Sequence, residues 1–465
     1  MSRAGNVVES VRARLADSDY SDRSLIVGTM LAIYVLYLLV GFSLGFDVNG
    51  QVNALQRITF LTAVFAMAGL ALNLHWGYTG LFNVGIAGFM AVGVYAMGMA
   101  TAPQNPETTT AVPGLGLPIP VGILIGILAA ALAGLIVALP ALRLRADYLA
   151  IVTLGLSEIV RLSFSSNTLG EFTIAGTTMG TGGNSGINLV GDPSKIVRQF
   201  YETGFGIGPL SDLSGAILDS FASVGIEQIV VINLSYTVVV VGILGFVYVL
   251  VQRLGNSPFG RSLKAIKEDE ETTQSLGKNT QLLKAKSFVI GCGLLGLAAI
   301  LWQGSRGLTT PDTYMIELTV FIWVVVIIGG AGSNTGTVLG AALFVSILDE
   351  GPRFFRDIVN ATFDVPRAPT SIVEAVGSIG EGDLMPLLAY VFGELAALQF
   401  VLLGVVLILI IKRRPEGLMG HRKEPASTLD ISRPATERGD GAPGPPAGSS
   451  DPEAGTGEKE DATDE

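Results

Sequence analysis

The sequence has few of the residues that active sites and metal centres require. Its 465 residues include one cysteine, Cys292, and two histidines, His75 and His421. One cysteine cannot form a disulfide within the chain, and no cysteine–histidine cluster has the spacing of metal ligands. Two histidines so placed also cannot build a serine–histidine–aspartate or cysteine–histidine arrangement. The sequence therefore predicts neither an enzyme nor a metal site.

Charged residues are also scarce, and they are unevenly distributed. They make up 15% of the chain, against about 25% in soluble domains, while 49% of the residues are hydrophobic. The net charge is −11, of which about −8 lies in residues 424–465. This segment has too few apolar residues to fold, so we predict a disordered acidic cytoplasmic tail. Its negative charge would keep the protein hydrated in a high-salt organism, or it would simply increase the solubility of the chain.

Long runs without charge indicate a membrane protein. A transmembrane helix needs about 20 apolar residues, and ten runs approach that length. The sequence thus predicts an all-α polytopic membrane helical bundle of about ten transmembrane helices over residues 25–411, after a cytoplasmic segment at 1–24. Nine or eleven helices remain open, because the short eighth and ninth runs could form one re-entrant unit. The ten runs are Leu25–Phe46, Leu55–Leu74, Leu81–Ala100, Pro120–Leu139, Tyr148–Phe164, Ile229–Val251, Ser287–Leu301, Ile316–Ile328, Thr337–Leu348 and Leu387–Ile411.

Basic residues predict the orientation of the bundle. Arginine and lysine concentrate in cytoplasmic loops, and an N-in, C-in arrangement places four basic groups inside. These groups are Arg12, Arg14 and Arg23, then Arg143 and Arg145, then the loop 253–286, then Lys412, Arg413 and Arg414. Outside, the long loop 167–228 and residues 351–386 either form a surface for an external partner or are plain connectors.

Small residues recur along several of these runs. Gly122, Gly126, Ala130 and Gly134 follow one another at a spacing of four, which lets helix backbones approach closely in lipid. Residues 291–296 match the GxGxxG pattern, but a dinucleotide site would need that pattern between a strand and a helix. Because it lies inside an apolar run, we predict helix packing there.

Two apolar regions are interrupted by glycines, at residues 75–85 and 329–336. Backbone that unwinds at membrane depth survives only when it is buried in protein or lines water. The two breaks are therefore either tight cytoplasmic turns or the lining of a transport pathway, where half-helix termini would face a substrate carboxylate. The pathway interpretation singles out Gly77, Gly80, Asn83, Gly85, Gly330, Gly332 and Asn334.

Few ionisable residues lie within the apolar runs. Glu158 and Arg161 are three residues apart, so they share a helix face and can pair. They either line the pathway or lie near the helix end and reach the lipid headgroups. We predict interfacial positions for Glu394 and His75.

The loop between the sixth and seventh runs carries the strongest functional signal. Ser257 and Pro258 are typical of a helix start, and Gly277 of a helix end. We predict a short amphipathic cytoplasmic helix whose apolar face is formed by Leu263 and Ile266, either with or without Ala265. Its charged residues either dock a soluble partner or are simply solvated. They are Arg261, Lys264, Glu268, Asp269, Glu270 and Glu271.

This loop also carries a family resemblance. Glu271-Thr-Thr followed by Gly277 is similar to the EAA–x–x–x–Gly coupling loop of ABC importer permeases, with both alanines replaced by threonine. Four further segments agree in order, at 77–85, 142–162, 329–342 and 414–418. Together they resemble the branched-chain amino acid ABC transporter permeases of the LivM type. Asn83 and Ile86 stand where that family commonly has a serine and a histidine.

The resemblance implies a membrane permease subunit in the plasma membrane, built of transmembrane helices. Its implied partners are a second, LivH-type permease, two cytoplasmic ABC ATPase subunits that dock on residues 261–277, and an extracytoplasmic substrate-binding protein. The chain itself would hold no cofactor, because the partner subunits use the ATP, and it would bind no nucleic acid. The implied small-molecule cargo is leucine, isoleucine or valine; urea, short amides or nucleosides, and an ion-coupled secondary transporter, are the alternatives.

Overall fold

The computed structural model describes residues 21–104, 112–141, 146–174, 176–189, 191–354, 371–377 and 395–419, together with 369, 386, 387 and 390. Two π-helical turns extend α2 and α14, and three 3-10 turns lie in loops. The α-helices of these parts are α1 (Ser21–Ser43), α2 (Val48–Leu72), α3 (Ile86–Thr101), α4 (Ile119–Ala141), α5 (Ala146–Ser165), α6 (Asn167–Gly170), α7 (Ser194–Thr203), α8 (Gly208–Ala222), α9 (Gln228–Asn256), α10 (Pro258–Glu268), α11 (Glu270–Ser275), α12 (Thr280–Gln303), α13 (Ile316–Gly329), α14 (Asn334–Leu343), α15 (Ile372–Gly377) and α16 (Leu395–Arg413). The π-helical turns are Asn73–Tyr78 and Phe344–Asp349, and the 3-10 turns are Gly183–Ser185, Gly204–Gly206 and Pro311–Tyr314.

The described residues include four short strands, which form two antiparallel pairs. Strand β1 (Phe172–Ile174) pairs with β2 (Thr177–Met179), with Thr173 opposite Thr178. Strand β3 (Ile187–Asn188) pairs with β4 (Leu308–Thr309), which lies between α12 and α13. The loop 167–228 therefore contains short helices and strands, and β3 ties it to a distant part of the chain.

The helices confirm the predicted fold class. Each of the ten predicted runs overlaps a helix, and seven helices of the described parts are long and apolar enough to cross a membrane. The number of ten spans and the N-in, C-in orientation stay predictions. The predictions for Arg12, Arg14, Arg143, Arg145, Glu394 and the tail 424–465 concern residues outside the described parts of the chain.

The third predicted run begins too early. The helix starts at Ile86 rather than Leu81, because residues 80–85 form no helix. Polar side chains hold this segment instead. The Thr153 hydroxyl accepts a hydrogen bond from the Val84 N–H at 3.0 Å. The run looks continuous because Leu81, Phe82 and Val84 are apolar.

The cytoplasmic loop is shorter than the predicted 253–286. Helix α9 continues to Asn256 and α12 begins at Thr280, which leaves residues 257–279 between them. Asn279 caps α12, since its side-chain oxygen accepts from the Leu282 N–H at 3.0 Å. The segment that remains is compact enough to be held as a unit against the bundle.

Helix α2 is the centre of the bundle. Of the residues in the most apolar stretch of Val48–Tyr78, 94% are buried, against 17% for α1 and 28% for α9. It packs against α9, α12, α13 and α14. A helix enclosed on every side must be apolar all round. Helix α2 meets this condition, because every residue from Phe60 to Leu72 is buried and only Thr62 among them is polar.

Glycines bring α3, α4 and α12 into backbone contact. A Cβ on Gly93 would lie 2.7 Å from the Gly296 Cα, and a Cβ on Gly126 would lie 2.5 Å from the Gly93 oxygen. A Cβ on Gly134 would lie 2.7 Å from the Cβ of Cys292. The three helices approach this closely only because these side chains are absent. The predicted packing role of the α4 stripe and of residues 291–296 is confirmed.

Several helix ends gather at one end of the bundle, close to α10. Lys267 of α10 donates to the Gly77 carbonyl at the end of the first π-helical turn. Asp22, at the start of α1, accepts from the Thr335 hydroxyl at 3.1 Å. After α16, the Leu418 N–H donates to the Ile328 carbonyl at 2.9 Å. All these segments are predicted to be cytoplasmic, so we call this the coupling end.

The segments predicted to be external gather at the opposite end. Asn49, at the start of α2, bonds the backbone of Gly225 and Glu227 before α9. The Leu189 N–H donates to the Gly307 carbonyl at 2.7 Å. Helix α2 has 25 residues, so the two groups of ends are separated by about 37 Å along its axis. We call this second group the far end.

Candidate coupling site

The coupling segment, residues 257–277, consists of two helices rather than the single predicted one. Ser257 caps α10 as predicted, with its hydroxyl accepting from the Gly260 N–H at 3.3 Å, and Pro258 occupies the first turn. Gly277 ends α11 at φ +80°, the left-handed conformation that favours glycine. Both predicted boundaries are therefore confirmed, and the unpredicted feature lies between them.

Asp269 separates α10 from α11. Its backbone is extended, at φ −155° and ψ 107°, so α10 ends there. Its carboxylate caps α11 by accepting from the Thr272 N–H at 2.9 Å and the Thr272 hydroxyl at 2.8 Å. These hydrogen bonds stabilise the ionised form and lower the pKa of Asp269. Thr272, which replaces an alanine of the family motif, thus supplies a bond that alanine could not.

One face of α10 is packed against the bundle. Leu263 is fully buried and Ile266 is 4% exposed, which confirms the predicted apolar face. Ala265 is exposed, so this face does not include it. Full burial of a leucine or isoleucine side chain contributes about 1.5–3 kcal/mol. A Cβ on Gly260 would lie 2.2 Å from the Leu254 oxygen, so the turn from α9 into α10 is tight. The segment is therefore attached by packing along its length.

Two lysines add polar anchors to this packing. The Lys267 ammonium donates to the Gly77 carbonyl at 2.7 Å, in the first glycine break. Lys284 of α12 forms an ion pair with Glu270 of α11. Lys264, a predicted coupling residue, lies 5.1 Å from the centroid of the Tyr78 ring. The segment thus contacts both α12 and the lower end of α2.

The opposite face of the coupling segment is open to solvent. Arg261, Glu268, Asp269 and Glu271 are exposed, as the docking prediction requires. Among them stands Leu276, which is 77% exposed beside Gly277. An exposed leucine flanked by charges is a common feature of protein contact surfaces, which combine an apolar centre with a polar rim. The signal in the sequence was a single leucine in an otherwise polar stretch, and it was missed.

The two glycine breaks lie against one another. The Asn73 side chain donates to Asn334 Oδ1 at 3.0 Å, and its own oxygen accepts from the Gly332 N–H at 2.7 Å. A Cβ on Gly77 would lie 2.0 Å from Asn73 Oδ1 and 2.8 Å from the Gly332 nitrogen. Gly330 and Gly332 have φ of +103° and +93°. Asn73 was not among the predicted site residues, although it is a lone amide between two leucines.

Asn83, Gly85 and His75 are fully engaged within the protein. The Asn83 side-chain nitrogen lies 3.3 Å from His75 Nδ1, and Asn83 Oδ1 accepts from the Gly85 N–H at 2.9 Å. His75 is buried, with Nε2 3.1 Å from the Phe288 carbonyl, so its predicted interfacial position is wrong. Gly80, at φ +75°, packs on the Lys267 side chain. The first break is therefore an ordered turn beneath the coupling segment, and its pathway role stays a prediction.

Glu158 and Arg161 form the expected pair, at the far end of α5. Arg161 lies 2.6 Å from Glu158 and 2.9 Å from Asp312, a residue of the 3-10 turn before α13. The Glu158 side chain is 48% exposed and that of Arg161 is 16% exposed. The structure thus places this pair away from the glycine breaks, and its pathway role also stays a prediction.

Comparison with known proteins gives one family. A family model described as "Branched-chain amino acid transport system / permease component" matches residues 54–355. The high-affinity branched-chain amino acid transport system permease protein LivM of Escherichia coli is 31% identical over 290 residues. LivM of Salmonella typhimurium is equally similar. These alignments cover 62% of this chain and 61% of each relative.

An archaeal relative aligns over more of its length. The probable branched-chain amino acid transport permease protein LivM of Methanocaldococcus jannaschii is 25% identical over 396 residues, 80% of this chain and 95% of the relative. No solved structure matches the chain. The family match covers more than half of the sequence, and its region includes both glycine breaks and the coupling segment. The chain is therefore a multi-pass membrane protein that belongs to the family of permease components of branched-chain amino acid transport systems.

Proposed function

We propose that this chain is the membrane-spanning subunit of an ABC importer that carries leucine, isoleucine and valine across the plasma membrane. The names of its relatives support the cargo. The observation that carries the mechanism is the coupling segment, which is bound to Gly77 through Lys267 and exposes Arg261, Glu268, Glu271 and Leu276. A charged surface fixed to the bundle can receive force from a soluble partner.

The contacts define a route for that force. Motion of the coupling segment acts on the first glycine break through Lys267 and on α12 through Glu270 and Lys284. Asn73 then joins the first break to the second at Gly332. Displacement of the two breaks would rock the helices that end there, as alternating access requires.

Transport by this chain requires partner subunits that use ATP, complete the membrane unit and deliver the substrate. Two cytoplasmic ATPase subunits dock on residues 261–277 and use the ATP, while this chain provides the path and is not itself an enzyme. A second, LivH-type permease completes the membrane unit. A substrate-binding protein delivers cargo at the far end, where α7, α8 and the strand pairs lie.

The docking assignment is tested at Gly277. Gly277→Pro forces φ to about −65° at a residue that has φ +80°, and it removes the N–H that donates to the Gln274 carbonyl at 2.9 Å. We expect the variant to insert normally and to lose co-purification with the ATPases. Gly277→Asn is the matched control, because asparagine tolerates the left-handed conformation. Equal co-purification by both variants would contradict docking on this segment.

The transport assignment is tested with the whole assembly reconstituted in liposomes. We expect ATP-dependent uptake of labelled leucine, isoleucine and valine when the binding protein is present. Uptake of urea, a short amide or a nucleoside in their place would keep the architecture and replace the cargo. Uptake driven by an ion gradient without ATP would contradict the ABC assignment.

A further inference from the structure

A cavity of about 390 Å³ opens at the far end of the bundle. It lies between α2, α13, the segment after α12 and the second π-helical turn. Arg306 and Glu317 line it, and both residues are exposed at the protein surface. It is separate from the coupling segment and from both glycine breaks.

The cavity carries balanced charge. Its lining includes three arginines, Arg57, Arg306 and Arg353, and three acids, Asp312, Glu317 and Asp349. A site with equal numbers of both charges is poorly suited to a ligand that is only anionic or only cationic, because such a ligand meets repulsion as well as attraction. A ligand that carries both charges is matched.

Most of these charges already have partners in the protein. Arg57 and Arg353 share the buried Glu350, at 2.6 and 3.2 Å. Asp312 pairs with Arg161 at 2.9 Å. These groups form the frame of the cavity.

Two opposite charges are left over. Among the described residues, neither the Arg306 guanidinium nor the Glu317 carboxylate has an ion-pair or hydrogen-bond partner. Asp349, the third acid, accepts from the Gln399 amide at 3.4 Å and also attracts the Arg306 guanidinium electrostatically. Arg306 and Glu317 are therefore the two charged groups of the lining that have neither a hydrogen bond nor an ion pair among the described residues.

Aromatic rings form one wall of the same cavity. The Arg306 guanidinium lies 5.0 Å from the Trp302 ring centroid, which orients it by a cation–π contact. The Trp302 ring packs on Phe65 with centroids 6.2 Å apart, and Phe321 lines the cavity as well. Trp302 is 8% exposed, and its indole Nε1 is a buried donor with no partner among the described residues. Such an orphaned donor is costly unless a ligand or water satisfies it.

We infer that this cavity recognises a zwitterionic amino acid with an apolar side chain, and this inference rests on the proposed function. Arg306 binds the α-carboxylate and Glu317 binds the α-ammonium. The aliphatic side chain packs on Phe65, Leu318 and Phe321. The site would receive cargo at the far end before it reaches the glycine breaks.

The test measures ligand binding to the purified permease in nanodiscs, without binding protein or ATP. Three probes of similar shape are compared: leucine, 4-methylpentanoate, which lacks the ammonium, and isopentylamine, which lacks the carboxylate. For Arg306→Gln and Glu317→Gln we expect at least a tenfold loss of leucine affinity, about 1.4 kcal/mol. Arg306→Gln should leave isopentylamine binding unchanged, and Glu317→Gln should leave 4-methylpentanoate binding unchanged.

Matched controls lie on the exposed far-end helix α7. Arg198→Gln and Glu202→Gln make the same charge changes outside the cavity and should bind leucine as the parent does. Arg306→Lys keeps a positive charge and should recover part of the lost affinity, which a purely structural role of Arg306 would not explain.

Three outcomes would overturn the inference. In the first, the parent protein does not bind leucine at millimolar concentration. In the second, both cavity variants fold and bind leucine with unchanged affinity. In the third, the cavity variants lose affinity for the binding protein while their affinity for leucine is unchanged. Each is compatible with ATP-driven leucine uptake by the whole assembly, so the proposed function is judged separately.

Discussion

At the scale of single residues, Asn73 and Gly77 decide how the two glycine breaks meet. The Asn73 side-chain nitrogen donates to Asn334 Oδ1, and Asn73 Oδ1 accepts from the Gly332 N–H. All three residues are buried. Gly77 makes room for this network because it has no side chain. Buried polar groups with all partners in place specify one arrangement, whereas partly satisfied groups are costly. A small substitution at either residue should therefore lower the stability of the protein markedly.

Gly77→Ala places a methyl group 2.0 Å from Asn73 Oδ1 and 2.8 Å from the Gly332 nitrogen. We expect a loss of about 1–3 kcal/mol of stability, since the network must shift to make room. The measurement is thermal unfolding in detergent. Gly242→Ala in α9 is the control, because nothing lies within 4 Å of the added Cβ and alanine favours a helix. Equal unfolding temperatures for the two variants would contradict the packing argument.

Residue-level prediction from sequence worked where the signal is local. Ser257, Pro258 and Gly277 mark helix boundaries by their own backbone preferences, and the structure agrees. The bond between Asn73 and Gly332 joins residues 259 positions apart, so no local pattern announces it. The buried position of His75 was missed for the same reason, because its partner Phe288 comes from α12.

At the scale of elements, the coupling segment is two short helices hinged at Asp269. Asp269→Ala removes the carboxylate that caps α11, so we expect the amides of residues 270–276 to exchange hydrogen faster. Asp269→Asn keeps a capping oxygen and is the matched control. Slow exchange in the alanine variant would show that α11 does not depend on this cap.

The pKa of Asp269 sets the conditions for that comparison. Because its pKa is lowered in the folded protein, the cap contributes fully at pH above the ordinary value of 3.8. The contribution is lost as the pH falls below that value and through the folded pKa. Hydrogen exchange near neutral pH therefore reports the intact cap.

The hinge was not predicted, although its signal is present in the sequence. Aspartate is a favoured N-cap residue, but Asp269 stands among other charged residues, without the glutamate or glutamine three residues later that marks a capping box. The apolar run at residues 81–85 misled prediction in the opposite way. There the hydrophobic pattern indicates a helix, while Thr153 holds the Val84 N–H from another element.

At the scale of the whole molecule, the contacts between helix ends form two groups. Segments predicted to be cytoplasmic gather at the coupling end, and segments predicted to be external gather at the far end. Alternation of long apolar helices requires this separation, and it was predicted from the order of the apolar runs and the basic residues between them. The contacts do not depend on which side of the membrane each end faces, so orientation is tested separately.

The single cysteine makes the orientation test direct. Cys292 is buried, and in a Cys292→Ala background new cysteines replace two exposed leucines, Leu276 at the coupling end and Leu213 in α8. We expect an impermeant maleimide to label Leu213→Cys in intact cells and Leu276→Cys only in inverted vesicles. The reversed pattern would place the coupling segment outside the cell and remove the basis of the proposed function.

The π-helical turn at the end of α2 has a mechanical consequence. Its Gly77 carbonyl accepts a hydrogen bond from Lys267, a residue 190 positions away on the coupling segment. Because Lys267 is exposed, water can replace this bond, so its net contribution is about 0.5–1.5 kcal/mol. Together with the packed face of α10, this bond should make the coupling segment and the end of α2 move as one rigid unit. A displacement of the coupling segment by a partner would then be passed directly to the central helix of the bundle.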